Sequence, residues 1–201
     1  MRHIVPSASG ALVSCHLEKP LDDAVWRRFD SLQLRRPGGF EVLALVRPPD
    51  RDYGEDEQRW LDRVSALAAR GPIGLHTHWT SPTHARPTGG DPAERVRSEV
   101  AWMRERDLAP RYFCGGGWYT DEDVQSAVRA LGLVDCTQRG GEPSSGVLPT
   151  THSLGQLARA VLGPLPRYVH AYFHDYDLLD AKRRYALSAA LGILGRRAEK
   201  I

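Results

Sequence analysis

Short apolar runs alternate along this 201-residue chain with longer segments whose apolar residues recur at helical spacing. Nothing else in the sequence limits the possible folds as strongly. The runs predict strands at about Ala11 to Glu18, Glu41 to Arg47, Pro72 to His78, Tyr112 to Gly115, Leu133 to Thr137, Val147 to Thr151 and Tyr168 to His174. Between them, helices are expected near Asp22 to Leu32, Glu55 to Arg70, Pro92 to Arg106, Asp121 to Leu131, Leu154 to Leu162 and Ala181 to Gly195. Strands that take turns with helices in this way build an α/β fold around a parallel sheet.

Local signals support the helices. Trp60, Val64, Leu67 and Ala68 share one helical face, and Gly71 follows as a stop. Asp91-Pro92 pairs a capping carboxylate with a proline at the first helical position, ahead of the Val96, Val100 and Met103 stripe. Thr120-Asp121-Glu122-Asp123 places a hydroxyl and three acids where a helix dipole favours them.

A doubly wound sheet and a barrel share this element order, and the placement of polar residues favours the barrel. Glu18, His76, His78, Gly117, His170 and His174 fall at or near the C-terminal ends of four different strands, where active sites of (β/α) barrels gather. The expected architecture is a distorted (β/α)7-type barrel, with residues 1–201 as one domain of ordinary size.

Composition removes several function classes. The 27 Lys and Arg nearly balance 25 Asp and Glu, so no basic surface argues for nucleic acid. There is no basic-then-apolar leader and no apolar run long enough for a membrane span, so a cytoplasmic, membrane-free protein is expected. Cys15, Cys114 and Cys136 are odd in number and widely spaced, which argues against a disulfide framework and against a thiolate zinc cluster.

Chemistry concentrates at strand ends. His76 and His78 are two apart, so both imidazoles leave one face of a strand and can share a divalent ion if a neighbouring strand adds a carboxylate. Glu18 is such a carboxylate, on the same face as His16; it is equally suited to capping the following helix. His84 lies beyond Pro82 in a loop with Arg86. On the last strand His170, Tyr172 and His174 share parity, and Asp175 stands beside His174 as a carboxylate that could orient its ring for acid or base work.

Gly115, Gly116 and Gly117 permit close backbone approach and offer N–H groups near the next helix N-terminus, suited to an oxyanion. The spacing is not that of a phosphate loop. Trp118 and Tyr119, and likewise Trp79, could stack on a sugar or simply cover the barrel end.

Taken in order, these motifs resemble the polysaccharide deacetylase (NodB-homology) family of carbohydrate esterases, over nearly the whole chain from about Leu12 to Leu194. The stretches that carry the resemblance are Ser14-Cys15-His16-Leu17-Glu18, Ile73-Gly74-Leu75-His76-Thr77-His78, Phe113-Cys114-Gly115-Gly116-Gly117-Trp118-Tyr119-Thr120-Asp121 and Tyr172-Phe173-His174-Asp175-Tyr176-Asp177-Leu178. It implies a barrel that holds a divalent ion and removes acetyl groups. Glu18 then corresponds to a metal carboxylate, His76 to the first metal histidine and His174 to the last-strand acid.

Three positions depart from the family pattern. His16 stands in the place of the aspartate base, Thr80 in that of the second metal histidine, and Cys114 in that of the arginine that orients the base. The expectation is therefore a hydrolase in which Glu18, His76 and His78 hold a zinc-like ion, His16 is the base, and His174 with Asp175 is the acid. Its substrate would be a sugar or small molecule bearing an acyl amide or ester. Two alternatives stand beside it: an amidohydrolase-like metal hydrolase, and a metal-free barrel that binds a carbohydrate or protein.

Overall fold

The computed structural model describes residues 10–201, so residues 1–9 of the expected 1–201 domain lie outside the described range. Seven strands, β1 (Gly10–Leu17), β2 (Leu43–Val46), β3 (Ile73–Thr77), β4 (Tyr112–Gly115), β5 (Val134–Asp135), β6 (His152–Ser153) and β7 (Tyr168–His174), form one sheet in the order β5-β4-β3-β2-β1-β7-β6. All of its pairings are parallel. Six helices connect and cover it: α1 (Asp23–Arg35), α2 (Glu57–Ala68), α3 (Pro92–Arg104), α4 (Glu122–Ala130), α5 (Leu154–Ala160) and α6 (Ala181–Arg197). The result is a curled half-barrel, the distorted (β/α)7-type architecture expected from the element order together with the polar residues at the strand ends.

Helix starts follow from local chemistry. Asp22, Asp56, Asp91, Asp121 and Asp180 each accept a hydrogen bond from a first-turn N–H of the helix that follows. Ser153 opens α5 with a reciprocal box, in which the Gln156 side chain accepts from the Ser153 N–H. No helix among the described residues is long and apolar enough to cross a membrane.

Side-chain alternation sorts the strands into two faces. Ala11, Val13, Cys15 and Leu17 of β1 join Ala44, Val46, Leu75, Phe113, Val169 and Phe173 in the main core under the helices. The opposite face lines the barrel interior. Leu12, Leu43, Leu45, Tyr168, Cys114 and Cys136 make a smaller apolar cluster there. His16, His76 and His174 have the parity of that inner face and sit nearer the strand C-termini.

Two expected strands change form. The run Val147 to Thr151 is not a regular strand, and β6 begins just beyond it. Pro149 cannot donate to a ladder, and Gly146 adopts a left-handed φ of 76°. Residues 147–150 still run beside 135–139, with the Leu148 N–H on the Asp135 carbonyl and the Thr150 N–H on the Gln138 carbonyl, both at 2.8 Å. This irregular seam connects the β5 edge towards the β6–β7 edge. The expected strand Leu133 to Thr137 shortens to β5 because Asp135 Oδ1 accepts from the Thr137 N–H at 2.8 Å and turns the chain. All three cysteines are free and buried.

Candidate functional site

Four imidazoles and one carboxylate meet at the mouth of the curled sheet. Glu18 Oε1 lies 3.7 Å from His76 Nε2, 3.8 Å from His78 Nε2 and 3.7 Å from His174 Nε2. His16 stands between these groups and the interior, its ring centroid 4.6 Å from His76 and 4.9 Å from His174. Register explains the meeting: His16 is level with His174 on β7, and His76 is level with Cys114 on β4.

The two β3 histidines are held by their far nitrogens. His76 Nδ1 donates to the Cys114 carbonyl at 2.9 Å, and His78 Nδ1 donates to the Pro82 carbonyl at 3.0 Å. A carbonyl only accepts, so each Nδ1 carries the proton and each Nε2 presents a lone pair. Both Nε2 atoms are buried without a hydrogen-bond partner. Two unprotonated nitrogens and a carboxylate oxygen thus face one another with no donor between the histidines to reconcile them. Burying such a set is costly unless a cation or proton joins it.

Electrostatics describe the alternative to a bound cation. Burial opposes ionisation of Glu18, but protons on the Nε2 atoms of His76 and His78, with a further contribution from His174, outweigh it and hold the carboxyl well below the usual carboxylate range. Burial lowers His76 and His174 below the ordinary histidine value, although Glu18 partly offsets it. His16 is pushed well down, first by burial and then by the neighbouring His76 and His174. The Glu18 carboxylate therefore lies among the proton-poor imidazoles of His16, His76 and His174.

Glu18, His76 and His78 can supply a divalent ion with ligand atoms that all lie within 4.8 Å of one another, and this donor set suits zinc. His16, His76 and Cys114 form a second group of the same spread. Cys114 fits the role less well, because burial pushes its thiol well above the ordinary cysteine value and favours the protonated form.

The remaining expected site residues divide. Trp118 joins the cluster, 5.2 Å from His16 and 4.9 Å from Tyr172. Trp79 does not: its indole packs in the main core, 5% exposed, with Nε1 donating to the Gly116 carbonyl, so it covers and does not line the mouth. Tyr119 turns away as well, its hydroxyl donating to Asp121 at 2.6 Å.

The glycines serve packing. The Gly115 N–H is committed to Thr137 Oγ1 at 2.9 Å, which removes it as an oxyanion donor. A Cβ on Gly116 would come within 2.5 Å of the Thr77 carbonyl, and one on Gly117 within 2.5 Å of Arg86. Their absence of side chains lets the loop after β3 lie against the end of β4.

Two assignments on the last strand are corrected. Asp175 does not orient His174: its Oδ2 accepts from the Lys19 N–H at 2.6 Å, and burial, with Glu18 nearby, pushes its carboxyl up to about 6. Asp177 takes that place, accepting from the His174 N–H at 2.9 Å while the His174 side chain accepts from the Asp177 N–H. His170 is no mouth residue. It is fully buried, bonded to Ser14 Oγ at 2.8 Å and the Leu148 carbonyl at 3.0 Å, a satisfied interior histidine. His84 is exposed in the loop.

Sequence reasoning missed three contributors. Arg47 is 4% exposed, paired with Glu55, and its Nε donates to the Glu18 carbonyl at 2.9 Å, which fixes the end of β1. Tyr172 stacks on His16 at 5.6 Å, and Tyr176 stacks on His174 at 4.9 Å. The shared parity of His170, Tyr172 and His174 was the available signal for Tyr172; nothing local marked Arg47.

The parallel, curled α/β sheet that carries this cluster at its strand C-termini belongs to a class of barrel whose fold solved structures share. The family 4 carbohydrate esterase from Streptomyces lividans is 10% identical, with a TM-score of 0.54 over 94% of this chain and 86% of that one. The polysaccharide deacetylase Bc1974 from Bacillus cereus is 13% identical, with a TM-score of 0.54 over 96% and 92%. The 4-alpha-glucanotransferase from Thermococcus litoralis is 12% identical, with a TM-score of 0.61 over 95% of this chain but 37% of that one. No family model matches the chain, and no curated protein matches it in sequence. The fold is thus that of the polysaccharide deacetylases, and other chemistries also use it.

Proposed function

We propose that this protein is a metal-dependent hydrolase that removes an acyl group, acetyl in the simplest case, from a sugar or small-molecule amide or ester. The buried, unpartnered Nε2 atoms of His76 and His78 facing Glu18 Oε1 carry this reading. With Glu18 they would hold a divalent ion, zinc by donor type, which when bound polarises a carbonyl and makes water more acidic.

The chain's own residues supply the proton transfers. His16 is kept unprotonated by burial and its neighbours, the state a general base needs, and its ring reaches the same space as His76 and His174. His174 accepts from the Asp177 N–H on one side, which leaves Nε2 as the protonated nitrogen, turned towards Glu18 and able to donate to a leaving group. Tyr172 and Trp118 wall the space on the His16 side.

The test is metal content of chelator-free protein together with acetate release from acetylated amino sugars. Bound divalent ion in the wild type, its loss in His76→Ala, and activity lost with metal retained in His174→Gln are expected. Absence of a divalent ion from the wild type overturns the reading.

A further inference from the structure

We propose that the substrate carries an anionic group, a carboxylate or a phosphate, which Arg139 binds beside the histidine cluster. This rests on the hydrolase reading above and narrows its substrate class.

Arg139 follows β5 on the irregular seam, where its neighbour Gly140 donates to the Thr150 carbonyl at 2.7 Å. Its guanidinium carbon lies 5.3 Å over the Trp118 ring, and Trp118 in turn lies 5.2 Å from His16. Trp118 is held at a φ of 59°, a conformation that a bulky residue adopts only when its surroundings impose it. The chain thus accepts local strain to set this indole between the catalytic cluster and Arg139.

Stacking leaves the guanidinium edge free. A planar guanidinium that lies on an aromatic face still points its N–H fork outward in the geometry that matches a carboxylate or phosphate. Arg139 is exposed and makes no salt bridge among the described residues. Arg183, which lines a cleft beside His174, is already paired with Asp177 at 2.5 Å.

Arg139 also borders a cleft of about 330 Å³ whose other walls are Gly140, Thr150, Thr151, Gln156 and Tyr172. No acidic side chain lines it. The Gln156 Oε1 is occupied by the Ser153 N–H, so the amide's remaining capacity is its N–H donors. Tyr172 forms a wall of this cleft and stacks on His16, so a single side chain links the cleft to the cluster. A substituent on a ligand whose acyl group reaches the histidines would extend past Tyr172 towards Arg139.

Three probes separate the possibilities: neutral N-acetylglucosamine, its 6-phosphate, and N-acetylmuramic acid, which bears a carboxylate. Binding is measured calorimetrically with wild type, Arg139→Gln and Arg139→Lys, and acetate release is followed separately. At least one anionic probe should bind about tenfold or more tighter than the neutral sugar, the scale of a charge-assisted hydrogen bond. Whichever probe is preferred identifies the anion. Arg139→Gln should remove that preference and leave neutral-sugar binding within about twofold, and Arg139→Lys should restore part of it. Equal binding of all three, binding of none, or equal losses for neutral and anionic probes in Arg139→Gln overturns the proposal. Anion-selective binding without acetate release sinks the hydrolase reading instead, and acetate release without anion preference sinks only this one.

Discussion

His16 and Cys114 touch across the barrel interior, Nε2 to Sγ at 3.7 Å. These are two of the positions at which the chain departs from the deacetylase pattern, and their contact gives the paired departure a physical basis. An aspartate at one position needs a counter-charge at the other, whereas a neutral imidazole tolerates a small thiol. Changing either residue alone strands a charge or leaves a gap.

That contact predicts strong coupling. His16→Asp alone should destabilise the fold by about 3–5 kcal/mol, the cost of an uncompensated buried charge. Adding Cys114→Arg should recover at least about 1 kcal/mol relative to the sum of the single changes. Urea unfolding of the wild type, both single variants and the double variant measures the cycle. Additive effects would show that the two positions act independently.

His170 predicts acid sensitivity. Burial lowers its pKa from 6.5 to about 4, although the Leu148 and Pro149 carbonyls partly offset the shift. The folded protein therefore holds it neutral where the unfolded chain would protonate it. Its contribution is fully present above about pH 6.5 and is lost as pH falls from there to about 4, to the extent of about 3 kcal/mol. Unfolding midpoints of chelator-treated protein across this range should fall less steeply in His170→Gln. Identical slopes for the two proteins would remove His170 as the cause.

Divalent ion should stabilise the folded chain through Glu18, His76 and His78. At a zinc concentration about a hundredfold above Kd, Tm should rise by about 5–10 °C. The rise should disappear in Glu18→Gln. A Tm that zinc leaves unchanged in the wild type would show that the three donors do not act together.

Gly116 predicts a link between packing and the site. A Cβ there would approach the Thr77 carbonyl to 2.5 Å and the Ala85 carbonyl to 2.9 Å, both backbone atoms with little freedom to move. It would also meet the His78 ring at 3.1 Å. Gly116→Ala should cost about 1–3 kcal/mol of stability and weaken zinc binding, since the displaced loop also carries the Pro82 carbonyl that orients His78. Calorimetry of unfolding and of zinc binding checks both. Wild-type values for the variant would place the loop's anchoring elsewhere.

Much of this molecule is legible one segment at a time. Apolar spacing and aspartate caps locate the helices, and alternation puts His76 with His78, and His16 with Glu18, on common strand faces. Those are properties of neighbours in the chain, set by backbone period and local hydrogen bonding. Only the tertiary structure decides that β1 lies between β2 and β7, which brings Glu18 to His76, His78 and His174. It also decides that Asp175 turns to Lys19, that His170 is sealed inside, and that Arg47 braces Glu18. Each is a contact between residues far apart in sequence, selected by packing and by the need to satisfy buried polar atoms, for which local pattern carries no signal. The sequence by itself determined which residues share a face; the curl of the sheet decided which faces meet.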